Sequence, residues 1–131
     1  MDKRNLFLGE YVGSTYEDVV EDITYNYEVE RQTVDEYQIV IAILNDHGYE
    51  EDSYFLMVKS GKLYENFAGH CSCMGFEGQF QPEETTVDYL MSKQYTNRDD
   101  TEIMNFLRSG ILRSIFREKK LKRIIEKESQ T

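Results

Sequence analysis

The stretch Tyr37-Gln38-Ile39-Val40-Ile41-Ala42-Ile43-Leu44 constrains the fold more than any other part of this chain. It is β-branched and apolar almost throughout, and it is far shorter than the ~20 apolar residues a membrane helix needs. Such a run reads as a central strand. Asn45-Asp46-His47-Gly48-Tyr49-Glu50-Glu51-Asp52 follows as a polar turn. Ser53 to Lys59 then forms a second strand, and Ser60-Gly61-Lys62 turns tightly into a third, Leu63 to Phe67. Three strands joined by short turns make an antiparallel meander.

Helices account for most of the remainder. Ser14 and Thr15, followed by Glu17 and Asp18, have the capping residues and early acids that a helix N-terminus favours. Pro82-Glu83-Glu84-Thr85-Thr86 has the same character and leads into Val87, Tyr89, Leu90 and Met91, so a helix is expected to start there. Thr96-Asn97-Arg98-Asp99-Asp100 breaks the chain. Ile103, Phe106, Leu107, Ile111, Ile115, Leu121 and Ile125 then recur along one long amphipathic helix ending near Lys127. The expected fold is α+β in a single domain over 1–131: a small antiparallel three-stranded sheet packed by two or three helices, with a long amphipathic C-terminal helix. A chain of 131 residues can bury roughly two thirds of its unfolded surface. Met1 to Val12 is too polar for a secretory leader.

Charge is unevenly spread. The net charge is −10, yet residues 1–52 hold fourteen Asp/Glu against three Lys/Arg, whereas 108–131 hold eight Lys/Arg against three Glu. The acidic front disfavours direct contact with nucleic acid phosphates and favours a basic partner. The basic positions Arg108, Arg113, Arg117, Lys119, Lys120, Lys122, Arg123 and Lys127 are spread around the polar side of their helix, which reads as a solvated face rather than a phosphate-binding stripe.

Chemistry concentrates between His70 and Thr85, which hold both cysteines, one of the two histidines and the only proline. Cys71 and Cys73 would point to one side of an extended chain, and with His70 they offer the ligand types zinc prefers. The spacing falls short of the two-to-four-residue gap of structural zinc sites, and a fourth ligand would have to come from His47, Glu77, Glu83 or Glu84. A disulfide between the two cysteines would be strained. Adjacent strand residues face opposite sides, so His70 cannot readily activate Cys71 as a nucleophile. There is no phosphate-cradling glycine loop, no H-E-x-x-H and no nuclease constellation, and the chain reads as non-enzymatic.

Ten tyrosines and no tryptophan suggest a recognition surface or a set of half-buried rings with wet hydroxyls. Tyr11, Tyr16, Tyr25, Tyr27, Tyr49 and Tyr54 lie among carboxylates. Glu17, Asp18, Glu21, Asp22, Glu50, Glu51 and Asp52 are the candidate partner contacts, acting as phosphate mimics in the manner of a DNA-mimicking inhibitor.

The string His70-Cys71-Ser72-Cys73…Gly75-Phe76-Glu77…Gln79-Phe80…Pro82-Glu83-Glu84-Thr85 resembles a group of small phage and prophage proteins. Those carry a similar H-C-S-C, G-[LF]-E-x-Q-[WF], P-E-E-T string after a β-hairpin and before a helix. The likeness covers roughly residues 53–92, with Phe80 where tryptophan is expected. The group supplies no catalytic residue to carry over. The resemblance implies an accessory protein of a mobile element, in a bacterial cytoplasm, that binds a host protein such as a defence nuclease or polymerase. Two alternatives remain beside that expectation: a zinc-binding module built on His70, Cys71 and Cys73, and a regulatory homodimer built on the C-terminal helix.

Overall fold

The computed structural model describes residues 5–71, 74–92 and 100–117. The chain divides into two compact units, 1–86 and 87–131. The first holds a five-stranded sheet in the order β1 (Leu6–Gly9), β2 (Gln38–Asp46), β3 (Glu50–Lys59), β4 (Lys62–Cys71), β5 (Glu83–Thr85). β2, β3 and β4 are the expected meander, but the small three-stranded antiparallel sheet is wrong. β1 adds a parallel partner to β2, Leu6 opposite Ile41 through Gly9 opposite Leu44, which makes the sheet mixed. β5 pairs antiparallel with Leu63–Glu65 of β4. Both additions come from chain distant in sequence. A parallel pair needs a long crossover, here carrying α1 (Tyr16–Asn26) and α2 (Arg31–Asp35), so no local pattern announces it. Glu83-Glu84-Thr85, read as a helix start, forms this edge strand instead, with Pro82 just outside it. The helix begins only at Val87.

β2 is apolar on both sides because both sides are buried. A bulge between Ile39 and Ile41 shifts the pleat, so that Ile39 and Ala42 reach the same face as Phe55 and Met57 of β3. That face packs on Val19, Val20 and Ile23 of α1 and on Val34 of α2. Ile41, Ile43, Leu56 and Val58 are also buried. Beyond the start of β1, side chains serve the bulged strand in place of a neighbour. The Tyr16 hydroxyl accepts from the Ile39 N–H at 2.9 Å, and Asn5 Nδ2 donates to the Ile39 carbonyl at 2.7 Å. α1 opens as expected: Thr15 accepts from the Asp18 N–H, and Asp18 accepts from the Thr15 N–H, a complete capping box. Ser60 and Gly61 both have positive φ (53° and 76°), the two-residue turn whose twist suits the β3–β4 hairpin.

The second unit contains α3 (Val87–Ser92), α4 (Asp100–Arg108) and a further helical stretch over 111–117. The long C-terminal helix is therefore corrected as well. Gly110 takes φ +84°, and the Ser109 side chain leaves the helix direction to accept from the Ile111 N–H at 3.3 Å and donate to the Phe106 carbonyl at 2.6 Å. Ile103, Phe106 and Leu107 thus belong to one helix and Leu112 and Ile115 to the next, all five buried. A continuous dimer seam from Ile103 onward is interrupted at this point, while Leu121 and Ile125 lie outside the described residues. Among the described residues no helix is long and apolar enough to cross a membrane.

Candidate functional site

The first unit carries most of the acid. Residues 1–86 hold eighteen Asp/Glu and five Lys/Arg, a net of −13, whereas 87–131 hold seven and ten, a net of +3. A cleft of about 300 Å³ is lined by Asp22 and Asn26 of α1, Leu44 of β2, Glu51 of β3, His70 of β4, and Gly75, Phe76 and Glu77 of the segment that follows. It brings together Asp22, Glu51 and His70, which the sequence reading had placed in two unrelated sets.

Each wall has a local cause. α1 places Asp22 and Asn26 one turn apart, and Asn26 Nδ2 donates to Asp22 Oδ1 at 2.7 Å. The Tyr11 hydroxyl donates to the other oxygen, Oδ2, at 2.6 Å. Burial of the ring and the nearby carboxylate push the Tyr11 hydroxyl pKa far above its ordinary value, so the phenol stays a neutral donor. Both donors are neutral, and they orient the Asp22 carboxylate without cancelling its charge. Glu51 and His70 are directly opposed across the β3–β4 pair, and His70 Nε2 lies 3.0 Å from Glu51 Oε1. His70 Nδ1 donates to the Cys71 carbonyl at 2.7 Å. With acceptor oxygens at both ring nitrogens, the doubly protonated imidazolium fits this geometry best. The Cys71 carbonyl is the largest influence raising the His70 pKa; partial burial opposes it, and Glu51 adds to it.

The floor is aromatic. Phe76 stacks on Tyr27 with centroids 4.8 Å apart and planes at 9°, and His70 meets Phe76 edge-on at 4.4 Å. Tyr27 is itself buried, and its hydroxyl is hydrogen-bonded to Ser53. Phe80 meets Tyr27 and Tyr37 edge-on. The string G-F-E-x-Q-F is thus a strap tied to β4, its two phenylalanines inserted beside Tyr27.

Two carboxamides fasten the strap. Asn66 of β4, 2% exposed, donates to the Gln79 carbonyl and accepts from the Gln81 N–H. The Gln79 side chain bonds the N–H and the carbonyl of Gly69 on β4, as a neighbouring strand would. No family model, no curated protein and no solved structure matches this chain. The site is therefore read from its own geometry.

The predicted contacts fare unequally. Glu17 is ion-paired with Arg31, which also holds Asp35. Asp18 belongs to the capping box, and Asp52 is bonded to His47 at 2.8 Å and to Asn45 at 3.0 Å. Asp22 and Glu51 line the cleft, and Glu21 and Glu50 have no side-chain partner among the described residues. Of the six tyrosines proposed for a surface, Tyr11, Tyr27 and Tyr54 are buried, whereas Tyr25 (83% exposed) and Tyr49 (69%) are presented to solvent. Tyr25 stands beside Glu21, Thr24, Glu28 and Arg31 on the outer side of α1.

For the zinc alternative, Cys71 is exposed and Cys73 lies outside the described residues. With Nδ1 on the Cys71 carbonyl and Nε2 on Glu51, His70 has no lone pair left for a metal unless one of these contacts is given up. Among the described residues no three His, Cys, Asp or Glu side chains gather closely enough to hold a metal ion. Sequence reasoning missed Asn66, Asn26 and Gln79. An asparagine between Glu65 and Phe67 has no periodic signal, and the glutamine of the G-F-E-x-Q-F string has no local feature that points to a bond with Gly69.

Proposed function

We propose that this chain is a non-enzymatic accessory protein of a phage or prophage that docks on a basic surface of a bacterial host protein. The observation that carries the reading is the Asp22 carboxylate, pinned by two neutral donors in a cleft it shares with Glu51 and Glu77. A negative charge held in place by neutral hydrogen bonds is preorganised for a cationic side chain, because little ordering remains to be done on binding. Glu21, beside Tyr25 on the outer side of α1, and Glu50 on β3 are further carboxylates with no side-chain partner among the described residues.

The test is affinity capture from a bacterial lysate, with mass spectrometry of the retained proteins, for the wild type and the triple variant E21Q/D22N/E50Q. A cationic protein retained by the wild type, released by rising salt and absent from the variant's eluate is the expected outcome. Identical retained sets for the two proteins at low salt would dismiss the acidic-surface reading.

A further inference from the structure

The second unit has a groove of its own. Val87 and Met91 of α3, Leu107 and Arg108 at the end of α4, Gly110, and Leu112, Arg113 and Phe116 of the 111–117 stretch line a groove of about 560 Å³. The turn at Ser109–Gly110 creates it by changing the chain direction between Leu107 and Leu112, so their side chains line one hollow rather than one helix stripe. Its lining is aliphatic and aromatic apart from two guanidinium groups. Arg108 and Arg113 lie either side of the turn, both exposed, and neither has an ion-pair partner among the described residues.

We propose that this groove binds a single-chain aliphatic carboxylate, with the alkyl chain along Val87, Met91, Leu107, Leu112 and Phe116 and the carboxylate between Arg108 and Arg113. Volume and charge both select this occupant. About 560 Å³ is within the range of small-molecule pockets, which are mostly apolar with a few polar groups fixing orientation. Two guanidiniums at a hydrophobic hollow require an anionic head on an apolar body, and guanidinium matches carboxylate with two parallel hydrogen bonds.

The experiment is isothermal titration of the full chain with octanoate, decanoate and dodecanoate below their micelle concentrations, and with dodecanol as the uncharged control. Affinity is expected to rise about fourfold per added methylene, the fold-change that follows from burying one CH₂. Dodecanol should bind at least tenfold more weakly than dodecanoate, and R108Q/R113Q should remove that difference while leaving dodecanol unchanged. Because both arginines are exposed, the variant should keep the wild-type circular dichroism spectrum. Phe116→Ala, by contrast, should weaken acid and alcohol alike. Equal binding of dodecanoate to wild type and R108Q/R113Q overturns the proposal. So does recruitment to phosphatidylglycerol vesicles, or binding of an acidic amphipathic peptide, in a protein that takes up no free dodecanoate.

Discussion

Asn66 and Gln79 hold each other's strands by the same chemistry in opposite directions. The Asn66 carboxamide, on β4, donates to the Gln79 carbonyl at 3.1 Å and accepts from the Gln81 N–H at 2.6 Å. The Gln79 carboxamide, on the strap, accepts from the Gly69 N–H at 2.8 Å and donates to the Gly69 carbonyl at 2.9 Å. The Asn66 bonds are part-buried and the Gln79 bonds exposed, and that difference sets their energetics. Asn66→Ala empties a buried side-chain position and removes the partners of a part-buried carbonyl and N–H, and is expected to cost about 2 kcal/mol. Gln79→Ala leaves groups that water can reach, at about 1 kcal/mol. Urea unfolding of the two variants checks the order, and a Gln79→Ala loss equal to or larger than that of Asn66→Ala would contradict it.

The His70–Glu51 pair makes the first unit sensitive to pH. The folded-state pKa of His70 is raised, chiefly by the Cys71 carbonyl and then by Glu51. A raised pKa means that the folded protein holds this proton more tightly than the unfolded chain does. The contribution is therefore complete below the unfolded value of about 6.5 and is lost as pH rises through the folded value. Unfolding free energy measured from pH 6 upward should fall across that window, and His70→Gln should flatten this part of the profile. A variant that keeps the wild-type slope would assign it to another group.

Gly9 ends β1 against β2. A Cβ there would land on the Leu44 carbonyl oxygen, with the carbonyl carbon at 2.9 Å and Asn45 Oδ1 at 3.1 Å. Since the obstacle is strand backbone, Gly9→Ala should cost roughly 3 kcal/mol or more by displacing β1. Gly48→Ala, at a hairpin tip with open space around it, meets no atom and should cost about 1 kcal/mol through backbone conformation alone. Thermal unfolding compares them directly, and equal losses would show that β1 does not depend on this approach.

Tyr27 and Ser53 share a buried hydroxyl–hydroxyl bond beneath the strap. Tyr27→Phe and Ser53→Ala should each cost about 1–2 kcal/mol, because each leaves the other hydroxyl unsatisfied. The double variant leaves none behind, so its loss should be well below the sum of the two. Additive losses in chemical denaturation would mean that the two hydroxyls act independently.

Legibility in the sequence followed the distance over which each signal acts. Thr15 and Asp18 cap α1 from three residues apart, and Ser60-Gly61 joins adjacent strands, so both are readable as strings. β1 is four residues whose partner lies more than thirty positions on, and β5 is two acids and a threonine whose helical reading was locally sound. The cleft drew its residues from α1, three strands and the strap, so Asp22 and His70 could be noticed separately but not joined. Tyr27 and Tyr25 look alike in sequence, two positions apart on one helix end. Only the direction each faces makes one a buried anchor and the other an exposed ring.

By itself the sequence determined the central meander, the start of α1 and the opposed charges of the chain's two ends, because local periodicity, capping and composition act between near neighbours. Tertiary structure alone decided the sheet's two edges, the break at Ser109–Gly110, which carboxylates keep a usable charge, and the role of the His70–Thr85 stretch as a strap. Those depend on which distant groups come within hydrogen-bonding or packing distance, and that is set only when the whole unit closes around its core.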